Sequence, residues 1–330
     1  MKAAPDGIDE RELSRALKEH WGFAPARLGY LPVGFGDHHW ELADSGGRRW
    51  FVTVARLTGA GRGTSPAAGY ADLRAAMDTV TALAAAGLEF ALAPVPTAAG
   101  QALGRLDAAH AITVFPYLDG AGEDLPDEMP ERERIALIDM LARLHNTTPQ
   151  AARTAPVRRL DLAARPVLEA ALGELTQPWH GGPYSEPARQ LLARHASHLD
   201  RALASFDELA REAAGSGPSV ITHGEPGPGN ILRSAGRLYL IDWDTVGLAL
   251  PERDLWDVAD AGSQEADRYT ELTGRRVSTT VMLMYRMRWS LEEIMLSLSD
   301  FRGPHAHNED TELTWEVLTE ETENLLQLAL

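Results

Sequence analysis

The first 120 residues read as short alternating runs punctuated by turn residues; beyond them, apolar positions recur at intervals of three and four. Asp9-Glu10-Arg11-Glu12 opens a helix, with Asp9 as N-cap and Leu13 and Leu17 on one face. Leu28 to Leu31 and His39 to Leu42 are strands flanking the loop Pro32-Val33-Gly34-Phe35-Gly36-Asp37-His38, and Arg49 to Ala55 is a third strand. Gly59 to Gly69 reads as a mobile loop, and Tyr70 to Ala86 as a helix that stops at Gly87. Ala111 to Leu118 is a short apolar strand broken by Pro116, and Asp119-Gly120-Ala121-Gly122 is a linker.

Helical spacing then dominates. Arg132 to His145 carries Ile135, Ile138, Leu141 and Leu144 and ends at Asn146-Thr147-Thr148-Pro149. Ala188 to Ala214, Ser278 to Asp300 and Glu309 to Leu330 are further helices. Ser219 to Thr222 and Leu238 to Asp242 form a small strand pair around the polar segment between them. No internal repeat and no low-complexity tract is seen. The pattern predicts an α+β, bilobal fold. Residues 1–118 form a small β-rich N-lobe, and residues 119–330 a larger, mostly helical C-lobe.

Composition narrows the function. With 44% hydrophobic and 24% charged residues, the 330-residue chain is of globular type. No apolar run is long enough for a membrane helix. Met1-Lys2-Ala3-Ala4-Pro5-Asp6-Gly7 has no apolar core behind a basic start, and Cys is absent, so a cytoplasmic location is expected. A net charge of −17 lacks the basic footprint that nucleic acid requires and favours a cationic small molecule. Only Lys2 and Lys18 are lysines; every other basic side chain apart from His is Arg.

The chemistry concentrates in Ile221-Thr222-His223-Gly224-Glu225-Pro226-Gly227-Pro228-Gly229-Asn230 and Ile241-Asp242-Trp243-Asp244. Phosphoryl transfer needs a carboxylate beside the attacking hydroxyl, oxygen ligands for Mg²⁺ and a cradle for the phosphates. Glu225, Asn230 and Asp242 supply the first two: Glu225 and Asn230 on one Gly/Pro-rich loop, Asp242 at the end of an apolar strand. His38-His39 and His305-Ala306-His307 lack metal-ligand spacing and read as loop histidines. Trp243, Trp256, Trp289 and Trp315 read as core. Asp244, Glu292 and Glu293 are candidate contacts for substrate ammonium groups.

His223 to Asn230 resembles the catalytic loop of aminoglycoside phosphotransferases and choline kinases, which share a protein-kinase-like fold. Ile241 to Asp244 and Ala249-Leu250-Pro251-Glu252-Arg253-Asp254-Leu255-Trp256 are similar to the segments that follow it in that family. The nearest likeness is to spectinomycin phosphotransferases. It is specific over residues 219–258 and elsewhere rests on order and spacing.

The resemblance implies ATP bound between the lobes and Mg²⁺ on Asn230 and Asp242. It also implies Glu225 in the place of the catalytic acid, a structural His223 and a buried Asp254 anchoring the loop. Gly34, Phe35 and Gly36 would cover the phosphates, and Phe115, Tyr117 and Leu118 would be the hinge that meets adenine. Two departures stand out. Glu225 occupies a position that is usually Asp. The phosphate-holding Lys falls by spacing on Thr53, and its acidic partner near Arg74, so Arg74 or Arg56 is expected to reach the phosphates. The expected activity is O-phosphorylation of a small cation such as a spectinomycin-like aminocyclitol antibiotic, by a monomer or homodimer. A metabolic kinase for a sugar, choline-like or amino-alcohol substrate, and a non-catalytic kinase-like ATP-binding protein, are the alternatives.

Overall fold

The computed structural model describes residues 1–5, 7–59, 63–120 and 129–328. The expected loop residues 60–62 and linker residues 121 and 122 lie outside them. In chain order the elements are α1 (Glu10–Trp21), β1 (Pro25–Leu31), β2 (His38–Asp44), β3 (Arg49–Arg56), α2 (Pro66–Ala85), β4 (Gly104–Arg105), β5 (His110–Pro116), α3 (Glu131–Asn146), α4 (Thr148–Ala151), α5 (Arg165–Gly173) and α6 (Ser185–Ala213). There follow β6 (Val220–Thr222), β7 (Ile231–Ser234), β8 (Arg237–Leu240), β9 (Gly247–Ala249), α7 (Glu252–Leu255), α8 (Gln264–Thr273), α9 (Thr279–Arg302) and α10 (Glu309–Gln327).

Two compact units emerge. One comprises Ala3–Arg159 with Pro218–Ser278, the other Leu160–Gly217 with Thr279–Leu330. The expected lobe boundary at residues 118/119 runs inside the first unit, where α2 packs on the Trp243–Thr245 turn and the Leu240 amide donates to the Phe90 carbonyl.

In the first unit, β1-β2-β3-β5-β4 form an antiparallel sheet. Its two faces follow from the period of two along each strand. Trp40, Leu42, Val52, Val54, Ile112 and Val114 point to one face and are sealed by Leu13, Leu17 and Trp21 of α1. α1 is set by Asp9, whose side chain accepts from the Arg11 amide, as its sequence predicts. The alternate residues share the other face: His39 pairs with Thr53, Thr53 with Thr113, and Phe51 with Phe115. Thr53 and Phe115, both expected to meet the nucleotide, therefore lie on the face away from α1.

α2 starts at Pro66, earlier than the Tyr70 the sequence suggested. Ser65 caps it by accepting from the Ala68 amide, and Pro66 sits in the first turn, where it lacks nothing. Gly69, expected in a loop, lies in the first turns of α2, and a side chain there would collide with the Leu57 carbonyl oxygen. α2 then buries Leu73, Met77, Val80 and Leu83 in a core shared with Ile138, Leu141, Ile221, Ile231, Leu240 and Trp243.

The expected pairing of Ser219–Thr222 with Leu238–Asp242 is replaced by two separate ribbons, β6 with β9 and β7 with β8. β7 and β8 turn on Ala235 and Gly236, both at positive φ, the two-residue geometry that matches strand twist. That turn sets Ile231 opposite Leu240 and leaves Asn230 and Ile241 at the open end.

The second unit is helical. α9 packs on α5, α6 and α10, and α10 is capped by reciprocal bonds between Asn308 and Thr311. Among the described residues no helix is long and apolar enough to cross a membrane.

Candidate active site

The site is built on the loop between β6 and β7. Gly224 begins it at φ 110°, and a side chain there would collide with the Arg253 guanidinium and the Thr245 hydroxyl. Only glycine fits a backbone both left-handed and this closely approached. The Arg253 guanidinium donates to the Thr222 hydroxyl (2.9 Å), and the Thr245 hydroxyl donates to the His223 carbonyl (2.9 Å).

The loop hangs from Asp254. This carboxylate accepts from the His223 amide at 2.8 Å and the Gly224 amide at 2.7 Å, with the side chain buried. Behind it, His145 Nε2 donates to Asp254 at 3.1 Å, and the Tyr269 hydroxyl donates to His145 Nδ1 at 2.8 Å. Burial alone would raise the Asp254 carboxyl. The hydrogen bond from His145 and the neighbouring charges outweigh it, and the carboxyl sits below its ordinary value. Burial also raises the Tyr269 phenol, which keeps it protonated as a donor.

His223 is buried and makes two bonds that require the same neutral tautomer. Nε2–H donates to the Ile241 carbonyl at 2.8 Å, while Nδ1 accepts from the Glu225 amide at 3.3 Å. Its ring rests 4.4 Å from that of Trp243. One imidazole thus fixes both the backbone carrying Glu225 and the residue before Asp242. Burial lowers its pKa to about 4. The unfolded chain therefore binds the extra proton first, and stability is complete above pH 6.5 and falls as pH drops from 6.5 through 4. Urea titrations across that window are expected to show a loss on the order of 3 kcal/mol from His223, which His223→Gln removes from the pH dependence.

Asn230 closes the loop. Its side-chain amide donates to the Glu225 carbonyl (2.8 Å), its own amide donates to the Gly227 carbonyl (3.0 Å), and its carbonyl receives the Ile241 amide (3.0 Å). Donation through Nδ2 leaves Oδ1, a hard oxygen, on the opposite side of the amide. Asp242 comes directly after the bonded Ile241. The strand has ended at Leu240, and Asp242 adopts φ 61°, ψ 63°, a left-handed conformation that costs a non-glycine residue about 1–2 kcal/mol. Its side chain is exposed. An exposed carboxylate one residue after the backbone bond to Asn230 is of the hard-oxygen type that suits a cation whose shell is completed by phosphate oxygens. Among the described residues no three His, Cys, Asp or Glu side chains form a metal cage by themselves.

The other expected residues divide. Gly34, Phe35 and Gly36 form the β1–β2 loop, with Phe35 exposed. Thr53 accepts or donates to His39 Nδ1 at 3.1 Å. His38 and His39 lie in β2 rather than in a loop, and burial lowers His39 to about 4. Arg74 on α2 and Arg56 at the end of β3 are exposed. At the hinge, the Tyr117 amide is already bonded to the Arg49 carbonyl (3.3 Å), and the Arg49 guanidinium covers the Tyr117 ring. Phe115 and Leu118 are half-buried. Asp244 sits in the turn after Asp242, in the first unit. Glu292 and Glu293 belong to the second unit, where Glu292 is ion-paired with Arg288 at 2.9 Å. Trp243 is core as expected, whereas Trp256, Trp289 and Trp315 are half-buried. Sequence reasoning assigned no role to His145, Tyr269, Asp72 or Arg158. A histidine within the apolar stripe of α3 was the one available signal.

The model of the APH phosphotransferase enzyme family matches residues 30–281, a span that contains the glycine loop, the β6–β7 loop and Asp242. The chain belongs to this family. It is a phosphotransferase. It is 31% identical over 252 residues to Protein StrN of Streptomyces griseus, covering 72% of this chain and 73% of that protein. Its fold is similar to that of the spectinomycin phosphotransferase APH(9)-Ia solved with ADP and spectinomycin, with TM-score 0.73, 15% identity, and 98% and 99% of the two chains covered. It is also similar to the choline kinase LicA from Streptococcus pneumoniae (TM-score 0.58, 15% identity, 96% and 98%) and to a microcompartment-associated aminopropanol kinase (TM-score 0.59, 18% identity, 96% and 94%). The kinase-like fold expected from the sequence is therefore the fold this phosphotransferase has.

Proposed function

We propose that the protein transfers the γ-phosphoryl group of ATP to a hydroxyl of a small cationic molecule, with an aminocyclitol antibiotic of the spectinomycin type as the first candidate acceptor. The observation that supports the reading is the backbone bond from the Ile241 amide to the Asn230 carbonyl at the open end of the β7–β8 ribbon, which brings the chain at Asn230 next to the residue before a left-handed, exposed Asp242. Asn230 Oδ1 and the Asp242 carboxylate hold Mg²⁺ in this reading; the bound ion neutralises phosphate charge. Glu225 orients the acceptor hydroxyl and takes its proton late in a loose transition state. His223 and Asn230 fix the backbone of Glu225 through its amide and its carbonyl.

Residues 1–118 serve as the nucleotide-binding lobe and residues 119–330 as the lobe carrying the catalytic loop and the acceptor region. The Gly34–Gly36 loop covers the phosphates. With the Tyr117 amide engaged by Arg49, the adenine edge is read by the Tyr117 carbonyl and the Leu118 amide. Thr53 and Phe115 line the same face. Arg74 replaces the missing lysine. Arg74→Ala is then expected to raise the KM for ATP about tenfold, the loss of one charge-assisted hydrogen bond; an unchanged KM would remove Arg74 from the phosphate site.

The strongly acidic chain favours a cationic acceptor, with Asp244 of the first unit as a proposed ammonium contact. A growth panel of aminocyclitols and aminoglycosides, with the gene expressed in a sensitive host, tests the acceptor class. Protection against at least one of them is expected. Protection against none, with transfer to an amino alcohol or choline-like compound in vitro, would move the protein to a metabolic role.

A further inference from the structure

Arg158 lies far in sequence from the β6–β7 loop, yet Nε and Nη2 of its guanidinium are both bonded to the turn that follows Asp242. Nε donates to the carbonyls of Thr245 (3.1 Å) and Val246 (3.2 Å), and Nη2 to those of Asp244 (3.1 Å) and Val246 (3.0 Å). Nη1 turns the other way and binds both carboxylate oxygens of Asp72 on α2, at 2.9 and 3.1 Å. The Arg158 backbone is itself fixed: its amide donates to the Leu248 carbonyl (2.9 Å), and the Leu248 amide donates to the Pro156 carbonyl (2.7 Å). α2 also packs directly on the Trp243–Thr245 turn.

Three successive carbonyls bonded to one planar guanidinium confine the turn to a narrow range of backbone arrangements. Asp242 enters that turn in a left-handed conformation, and relaxation of the turn would move its carboxylate. We propose that Arg158 is a positioning residue for the metal-binding carboxylate of Asp242, and that Asp72 holds Arg158 in register from α2. This rests on the reading of Asn230 and Asp242 as the Mg²⁺ ligands. In effect α2 communicates with the metal side of the site through an Asp–Arg pair and three backbone carbonyls.

The test is the gain in ATP affinity that Mg²⁺ confers, measured by titration calorimetry in excess MgCl₂ and again in EDTA, without an acceptor. Arg158→Lys keeps a charge for Asp72 but cannot fork to three carbonyls. It is expected to reduce the Mg²⁺-dependent gain about tenfold, as loss of an outer support for a metal ligand does, while affinity in EDTA stays at the wild-type value. Asp72→Asn, at a half-exposed position that tolerates the change, is expected to shift the gain in the same direction by less. Leu325→Ala, which opens the core of the other unit, is the stability control: it lowers the melting temperature and leaves the gain intact. If Asp242→Asn loses the gain but Arg158→Lys and Asp72→Asn retain it, Arg158 is merely structural and the inference is overturned. If Asp242→Asn itself retains the gain, the metal reading falls, and this inference with it.

Discussion

Asp242→Asn is expected to lower kcat/KM for phosphoryl transfer about 10³-fold, equivalent to about 4 kcal/mol of transition-state stabilisation. The substitution keeps the shape and one oxygen but removes the charge that a divalent cation needs. It is a clean test because asparagine tolerates the left-handed conformation of this residue at least as well as aspartate does. The melting temperature should therefore be unchanged or slightly raised while activity disappears. A variant that retains activity within tenfold of wild type, at any Mg²⁺ concentration, would mean that Asp242 is not a metal ligand.

The second large effect is at Asp254. Asp254→Ala should cost about 3–5 kcal/mol of stability, because it orphans three buried donors at once: the His223 and Gly224 amides and His145 Nε2. Asp254→Asn should cost less, since one carbonyl oxygen remains while the amide group faces a donor. Urea unfolding at pH 7.5 gives both values. Activity should fall in parallel, through loss of the backbone position of Glu225 rather than loss of any reacting group. A stable Asp254→Ala protein with an intact site would contradict the role of anchor.

What the sequence made legible was mostly local. Asp9 capping α1, the alternation that turns Val52 and Val54 to one face, and the turn residues around Gly34 are each decided within a few positions. The beginning of α2 was misjudged because Gly69 reads as a loop residue, when its real constraint is the approach of Leu57, which no local pattern records. The strands β7 and β9 are only Ile231–Ser234 and Gly247–Ala249. Runs so short carry almost no periodicity, and that is why the two catalytic segments were expected to pair with each other.

In the candidate site, Glu225, Asn230 and Asp242 stand out in the sequence as proposed active residues because of their spacing. The supports were not. His145 is 109 residues from Asp254, and Arg158 is 86 residues from Asp244; contacts of that kind are made by the fold and leave no spacing to read. At the proposed phosphate-binding half, Thr53 where the family resemblance places a lysine is legible in the sequence as an absence. What His39 adds to it, a ring bonded to Thr53 on the neighbouring strand, emerged only from the register of β2 and β3.

Magnesium-dependent phosphoryl transfer is tested most directly by ³¹P NMR of the purified protein with ATP and a panel of aminocyclitols, aminoglycosides and amino alcohols, run with Mg²⁺, with EDTA and with Asp242→Asn. A new phosphomonoester resonance is expected on at least one acceptor, present only with Mg²⁺ and the wild-type protein. ATP that binds but gives neither a phosphomonoester on any acceptor nor Mg²⁺-dependent hydrolysis would contradict it and leave a kinase-like fold that only binds its nucleotide.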